Sequence, residues 1–514
     1  MSFVEVGVQQ YLHNVHYGRG CVKTNHKLQK HGKIDSRMQG DESMRYKKSN
    51  NRDQLSLEPL CLEDMLPPDA EVRALEIIID KMEIRSLGFI YSETKATGRK
   101  PYDPVDMFKI YAYSYFNGIR SSRKIERECY RNIELMWLIG DIRPDFKTIA
   151  DFRKDNKAQI KAAFQKFSMI CGELGLIGKE IVAVDGSKFR ASNSRLAYHS
   201  EKKIDEKIKH HTEKAEKYLK LLDSCDKEET KSPKLTNDEI VSKIDKISKR
   251  VDELVALKAD VIERGTIYET DPDSRMMKTN NNGCDICHNV QIAVDDKAHL
   301  VVAVDVTSQA IDKEQLYNMA SQAKENLEVD TLTIIADKGY YSSKQFMLCE
   351  EDNIKPIVSC ANQDFHVNDE RYSKENFHFD YERGGYICPE GQILSVFCKG
   401  KDGCIKYANP LACKNCLQKS ECTTSKYRTI QDRPFIEYAR KVDKRTKENV
   451  HTYYRRKQVV EHPFGTVKRA FGFSCFLTRG TENVRTESLL HFLAYNMKRV
   501  INIMGVQKIM TALG

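Results

Sequence analysis

The chain has no run close to the ~18 consecutive apolar residues that a membrane span needs, so no membrane-spanning protein is expected from its 514 residues. It also lacks a basic start followed by an apolar stretch. The opening MSFVEVGVQQYLHNVHYGRG carries no visible secretory signal, and a cytosolic protein is expected. A strong excess of one charge is missing too: 83 Lys and Arg minus 74 Asp and Glu leaves +9, a mild lean toward polyanionic partners. With 40% hydrophobic residues the chain is not poor enough in apolar groups to be disordered throughout. Its length suits two to four domains at roughly 100–200 residues each. Cysteine is plentiful, at 16. Without an export signal these read as thiols or metal ligands rather than disulfides. Six of them fall between Cys388 and Cys422.

Residues 1–57 hold ten Lys and Arg, five Asp and Glu, and no sustained period, the composition of a basic disordered tail. From 58 to 178 the pattern is helical. AEVRALEIIIDKM has apolar residues at helical spacing, and Asp103-Pro104 caps and opens VDMFKIYAYSYF. Ser121-Ser122 precede RKIERECYRN, and Pro144-Asp145 lead into FKTIADFRKDN. This predicts an all-α domain of its own. At Glu180 the signal turns to short β-branched runs. EIVAVDG, NVQIAV, AHLVVAVDV, TLTIIAD and KPIVSC alternate with the amphipathic stretches DKEQLYNMASQAKENL and SSKQFMLCEED. The order β, ββ, α, β, α, β predicts a mixed sheet with flanking helices over 179–361, completed by 436–505. Two insertions interrupt it. Residues 200–265 predict a helical hairpin with a narrow seam at Ile204, Ile208, Leu219 and Leu222, then Ile240, Ile244, Ile247, Val251 and Leu254, broken at Ser232-Pro233. It reads either as a solvated spacer or as a DNA-contacting or dimerising arm. Residues 362–435 hold the cysteine cluster.

Three acids stand out by position. Asp185 ends one predicted strand, Asp337 ends another, and Glu461 lies in the basic helical segment YYRRKQVVEHPFGTVKR. Carboxylates just past strand ends lie where open α/β sheets bind ligands. Two of them with a third from a helix make a hard oxygen site suited to Mg²⁺ or Mn²⁺. Each acid by itself also reads as a turn, a cap or a solvated residue. Spacing alone does not join them.

Read together, IVAVDGSKFRASNSR, DPDSRMMK, NVQIAVD, TLTIIADKGYYS and VVEHPFGTVKRAFGFSCFLTRG resemble an insertion-sequence DDE transposase. The stretch YDPVDMFKIYAYSYFNGIRSSRKIE…RPDFKTIADFR resembles the helical domain that precedes the catalytic one in that group. The resemblance runs from about Asp53 to about Gly505. It implies a ribonuclease-H-like catalytic domain with Asp185, Asp337 and Glu461 as its metal-holding acids. It also implies two divalent ions, DNA cleavage at element ends, strand transfer into target DNA, and a dimer on paired ends. The group's Y-x-x-R-x-x-x-E-x(6)-K signature falls on Tyr454, Lys457, Glu461 and Lys468, with lysine in the arginine's place. The fork that grips phosphate bidentately is thereby lost. These residues are expected to hold DNA backbone on one helix face, although Pro463 is expected to kink the segment before Lys468. The enzyme would work in the cytoplasm, on the nucleoid when bound.

Three further motifs stand out. Cys413-x-x-Cys416 with Cys422 and Cys388-Pro389 has the make-up of a structural zinc site, stapling an insertion too small for its own core; Cys398 and Cys404 are competing ligands, and unliganded thiols are the alternative. Equivalent cysteines recur in the resembling group at these four positions. Cys284-x-x-Cys287-His288 has the haem-attachment spacing, but haem attachment needs export. Arg120, Arg123, Lys124, Arg127 and Arg131 crowd one short helical stretch, as in a module that reads DNA with one helix and grips phosphates beside it. A nuclease that cuts without joining, and a non-catalytic DNA-binding descendant of a transposase, are the rival readings.

Overall fold

The computed structural model describes residues 61–90, 101–225, 237–279, 283–360, 370–400 and 403–514. The expected basic tail and the Ser232-Pro233 break lie outside them. Among the described residues six α-helices come first: α1 (Glu71–Lys81), α2 (Pro104–Phe116), α3 (Ser122–Glu128), α4 (Ile133–Ile139), α5 (Phe146–Asp155) and α6 (Lys157–Glu173). Their starts follow from capping. The Asp103 carboxylate accepts from Val105 N, with Pro104 at the first helical position, and Asp145 accepts from the Lys147 and Thr148 amides. α4 is not among the helices the sequence predicts. Asn132 caps it through Leu135 N, and Gly140 closes it in the left-handed region.

The main sheet draws on β1 (Ile181–Arg190), β4 (Arg275–Lys278), β5 (Cys284–Asp295), β6 (Val301–Thr307), β7 (Leu332–Ala336) and β8 (Ile354–Val358). Between β1 and β4 come the two-residue strands β2 (Tyr198–His199) and β3 (Ile267–Tyr268), which pair with each other at the foot of α7 (Glu201–Cys225) and α8 (Asn237–Arg264). The principal strand order is β6-β5-β1-β7-β8, with β4 also on β5. β5 runs antiparallel to β1 and β6, whereas β7 and β8 run parallel to β1. Helices α9 (Leu316–Leu327) and α10 (Ser343–Glu351) make the crossovers. β1 was expected to end at Asp185. It continues to Arg190, because β5 goes on pairing with it after β7 has ended.

In the α7–α8 hairpin the seam is buried at Ile204, Ile240, Leu254 and Val261, while Leu219 is exposed. Residues 370–435 form a second, antiparallel sheet of β9 (His378–Asp380), β10 (Gly385–Ile387), β11 (Ile393–Lys399), β12 (Ile405–Ala408) and β13 (Thr429–Asp432), with the short α11 (Pro410–Lys414) and α12 (Lys419–Cys422) between the last two strands. This segment was expected to be too small for a core. It has one, built from Phe377, Tyr386, Leu394, Tyr407 and Ile430, because aromatics supply large buried area per residue.

The chain closes with α13 (Ile436–Glu448), α14 (Val450–Gly465), α15 (Thr481–Met504) and α16 (Val506–Leu513). α15 is buried for most of its length and packs against α2, α6 and β6, while α16 packs on α1. One hydrophobic core therefore runs from the first helices through the sheet to the last two. Among the described residues no helix is long and apolar enough to cross a membrane.

Candidate active site

The parallel pairing of β1 with β7 ends at Val184 opposite Ala336, so the next residue on each strand is an acid, Asp185 and Asp337. Asp185 Oδ1 accepts from Gly186 N at 2.9 Å, and Asp337 Oδ1 accepts from Gly339 N at 2.8 Å, capping the turn 338–340. Among the described residues the second oxygen of each carboxylate has no hydrogen bond. Burial pushes Asp185 up to about 6; Arg456 opposes the shift, while the negative charges of Asp337 and Asp312 add to it. Crowded carboxylates with free oxygens are the donors a hard divalent cation takes, so these two residues fit such an ion. The third expected acid is placed differently. Glu461 is exposed on α14, whose other side carries buried Val459, Val460 and Pro463 and packs on β1 and β7. Among the described residues no three His, Cys, Asp or Glu side chains converge as a group able to hold a metal.

A network of polar groups links the residues that follow Asp185 and Asp337. Asp312 follows β6 and accepts from Asn289 Nδ2 at 2.6 Å, Gln291 Nε2 at 2.7 Å and Lys188 Nζ at 3.1 Å. Gln291 Oε1 accepts from the Tyr340 hydroxyl. Gly186 faces Gln291 across the ladder, where a Cβ would overlap the Gln291 amide and sit 2.7 Å from Asp312 Oδ1. The approach therefore requires glycine. Asp312, Gln291 and Tyr340 drew no notice in the sequence. Only the β1–β5 register brings them together.

The expected DNA contacts divide into outward and inward groups. Tyr454 is 66% exposed, and Lys457 is exposed beside it. The half-buried cation acting on Asp185 is Arg456, which the sequence reading passed over for Lys457 one residue later. Lys468 is engaged with the protein. Its ammonium donates to Ser187 Oγ at 2.6 Å and Lys188 O at 3.2 Å and lies 4.4 Å from the centre of the Phe189 ring. It leaves the face shared by 454, 457 and 461 because α14 passes through Pro463 and then widens into a π-helical turn, Thr466–Ala470. Arg120 is also turned inward. It donates to Cys475 O at 2.7 Å, lies 3.6 Å from the fully buried Glu487 carboxylate, and stacks over Phe473. On α3, Arg123, Lys124 and Arg127 are exposed, with Arg123 over the Phe146 ring. Arg131 pairs with Glu128.

Cys388, Cys413, Cys416 and Cys422 line one cavity of about 30 Å³, room for an ion or a water, but they are not drawn together here as a group placed to hold a metal. Cys388 Sγ accepts from Gln392 N at 3.3 Å, and burial pushes Cys422 up to about 11, with the other three thiols adding to the shift. Of the competing cysteines, Cys398 is exposed and Cys404 is buried. The haem spacing falls within β5, where fully buried His288 meets Asp271 at 2.8 Å. That ring is a core partner of Asp271.

Two families match the chain: residues 60–155 match "Transposase domain (DUF772)" and residues 266–497 match "Transposase DDE domain". No curated protein matches. The chain is similar to a solved piggyBac transposase synaptic complex with hairpin DNA at 9% identity and a TM-score of 0.28, over 86% of this chain and 76% of that one. That likeness is too slight for anything to be carried over from the complex.

Proposed function

The chain has the two domains of an insertion-sequence DDE transposase, and by the second it is a DDE-type polynucleotidyl transferase; on that premise we propose that it binds the ends of its element, cuts them and joins them to target DNA, with Asp185, Asp337 and Glu461 as the acting acids. The observation that carries this is the side-by-side position of Asp185 and Asp337, each one residue past the last parallel pair of β1 and β7. The order β6-β5-β1-β7-β8, antiparallel through β6, β5 and β1 and parallel from β1 to β8, supports the ribonuclease-H-like reading. The catalytic domain then comprises 179–361 and 436–505, with 200–265 and 362–435 inserted and the helical module 58–178 in front.

Mg²⁺ or Mn²⁺, as two ions, would supply activation of the attacking oxygen and stabilisation of the leaving one. The protein's part is to hold that chemistry in place. Asp185, within β1 just past its parallel pairing, and Asp337, just past β7, present free carboxylate oxygens, and Glu461, exposed on α14 and not converging with them here, would have to come in to complete the set. Arg456 keeps a fixed positive charge beside Asp185. Tyr454 and Lys457 grip DNA backbone, while Lys468 holds β1 in position through Ser187 and Lys188. At the element's end a water oxygen bonds to phosphorus, loses its proton, and the 3′ oxygen leaves as a hydroxyl. That hydroxyl then bonds to a phosphorus of target DNA, displacing another 3′ oxygen. Arg123, Lys124 and Arg127 on α3 read or grip the end. A homodimer holds paired ends, and the four cysteines bind one structural zinc.

Incubating the purified protein with its flanking DNA and Mg²⁺ tests the reading: cleaved ends and joined product are expected, with Ca²⁺ permitting binding only. Cleavage without joining would favour the nuclease. Binding without cleavage would favour the non-catalytic descendant.

A further inference from the structure

We propose that Asp312, Gln291 and Tyr340 form a positioning relay that sets the orientation of Asp337, and through it the affinity of the site for a divalent cation. The proposal rests on the metal-holding role assigned above to Asp185 and Asp337.

Asp312 lies near both acids but is not itself placed to ligate. Its Oδ1 already accepts from Asn289 Nδ2 at 2.6 Å, Gln291 Nε2 at 2.7 Å and Lys188 Nζ at 3.3 Å, and its Oδ2 accepts from Lys188 at 3.1 Å. A carboxylate so occupied by fixed donors acts as a strut for those donors. An ionised carboxylate only accepts hydrogen bonds, so it fixes which way the fully buried Gln291 amide points. The nitrogen must face Asp312, and the oxygen must face Tyr340. The Tyr340 hydroxyl, itself buried, then has one available role and donates to Gln291 Oε1.

Tyr340 closes the turn that follows Asp337. Its backbone N–H donates to Asp337 O at 3.1 Å, while the Asp337 carboxylate accepts from Gly339 N inside the same turn. With the ring tethered at its hydroxyl, the turn is held from below and the free carboxylate oxygen has a set direction. Gly186 makes the tether possible, since any Cβ there would displace the Gln291 amide. The relay thus joins the residue after Asp185 to the third residue after Asp337. Outer partners of this kind commonly change metal affinity by about 10–100-fold when removed.

The test is Mn²⁺ binding to the DNA-free full-length protein, read as loss of the free-ion electron paramagnetic resonance signal. Tyr340→Phe removes one oxygen and should weaken Mn²⁺ binding about tenfold. It should also raise the Mn²⁺ needed for half-maximal cleavage while leaving the rate at saturating Mn²⁺ within a few-fold of wild type. Asp312→Asn, which lets the Gln291 amide reverse, should weaken binding similarly. The double variant should be no weaker than the worse single one, because the two act in series. A purely structural role would lower the melting temperature and leave Mn²⁺ affinity alone. Wild-type Mn²⁺ affinity in folded Tyr340→Phe overturns the relay; where that variant does not fold, the same result in Asp312→Asn does so. If instead wild type and Asp185→Asn bind Mn²⁺ equally, the metal-holding reading itself falls, and the relay falls with it.

Discussion

Asp185 and Asp337 stand in matching positions, each one residue beyond Val184 and Ala336, the last parallel pair of β1 and β7. Asp185→Asn, Asp337→Asn and Glu461→Gln should each reduce cleavage by at least about 100-fold, the scale of losing a group that acts on the transition state. End binding should survive in all three. A gel assay with labelled end DNA measures both; retained cleavage in any one variant removes that residue from the set.

The same crowding gives a pH signature in metal-free protein. Burial, with Asp337 and Asp312 adding to it, raises Asp185 to about 6, above the roughly 3.9 of an unfolded aspartate. The folded chain therefore binds this proton more tightly than the unfolded one. Stability from the group is complete below about pH 4 and is lost as pH rises through about 6. The loss is on the order of 3 kcal/mol. Thermal denaturation in chelator should show wild type falling relative to Asp185→Asn between those limits. Parallel curves for the two proteins would contradict the assignment.

Lys457 and Lys468 should fail differently. Exposed Lys457, changed to Ala, should shrink the slope of log affinity against log salt by about 1 and leave stability nearly unchanged. Lys468→Ala removes two hydrogen bonds from a part-buried ammonium and should cost about 1–3 kcal/mol of stability, with the slope intact. Fluorescence anisotropy at several salt concentrations, paired with melting curves, separates them; a reduced slope in Lys468→Ala would return that residue to the DNA interface.

Arg120 and Arg127 make a similar contrast in the helical module. Removing Arg120 leaves buried Glu487 without its cation, and Arg120→Ala should destabilise by about 3 kcal/mol. Arg127→Ala on the exposed side of α3 should stay within about 0.5 kcal/mol of wild type while weakening end binding. Denaturant melts of the two variants decide; equal stability would mean Arg120 is not a strut.

Elemental analysis should find about one zinc per chain, the content of a four-thiolate site. Cys416→Ser should lower it and expose residues 362–435 to protease. Full metal retention in that variant would exclude Cys416 as a ligand.

Much of this was legible in the sequence because it is local. Asp103-Pro104 and Asp145 announce their helices, and β-branched runs announce β1, β7 and β8 in order. What stayed hidden depends on register or on the direction a side chain takes. A seven-residue helix with cations on several sides does not reveal that Arg120, just before it, points at Glu487. Of the adjacent cations Arg455, Arg456 and Lys457 the resemblance points to Lys457, and only the packing of α14 on β1 selects Arg456. Asp312 reads as the first residue of an amphipathic stretch until the β1–β5 ladder sets Gly186 opposite Gln291. The second sheet was missed because its strands are short and its cysteines drew the eye from its aromatics.

The packing of α15 against α2, α6 and β6 bears on how the polypeptide is made. The helical module leaves the ribosome before residues 481–504, which supply one of its walls. Until they arrive, α2 and α6 keep apolar faces open to water. A prematurely terminated product therefore does not yield a tidy end-binding fragment able to occupy DNA ends and block the full-length protein. It yields an unfinished chain that is prone to aggregation and open to proteases. Synthesis of α15 and closure of the core around α2 and α6 become one event.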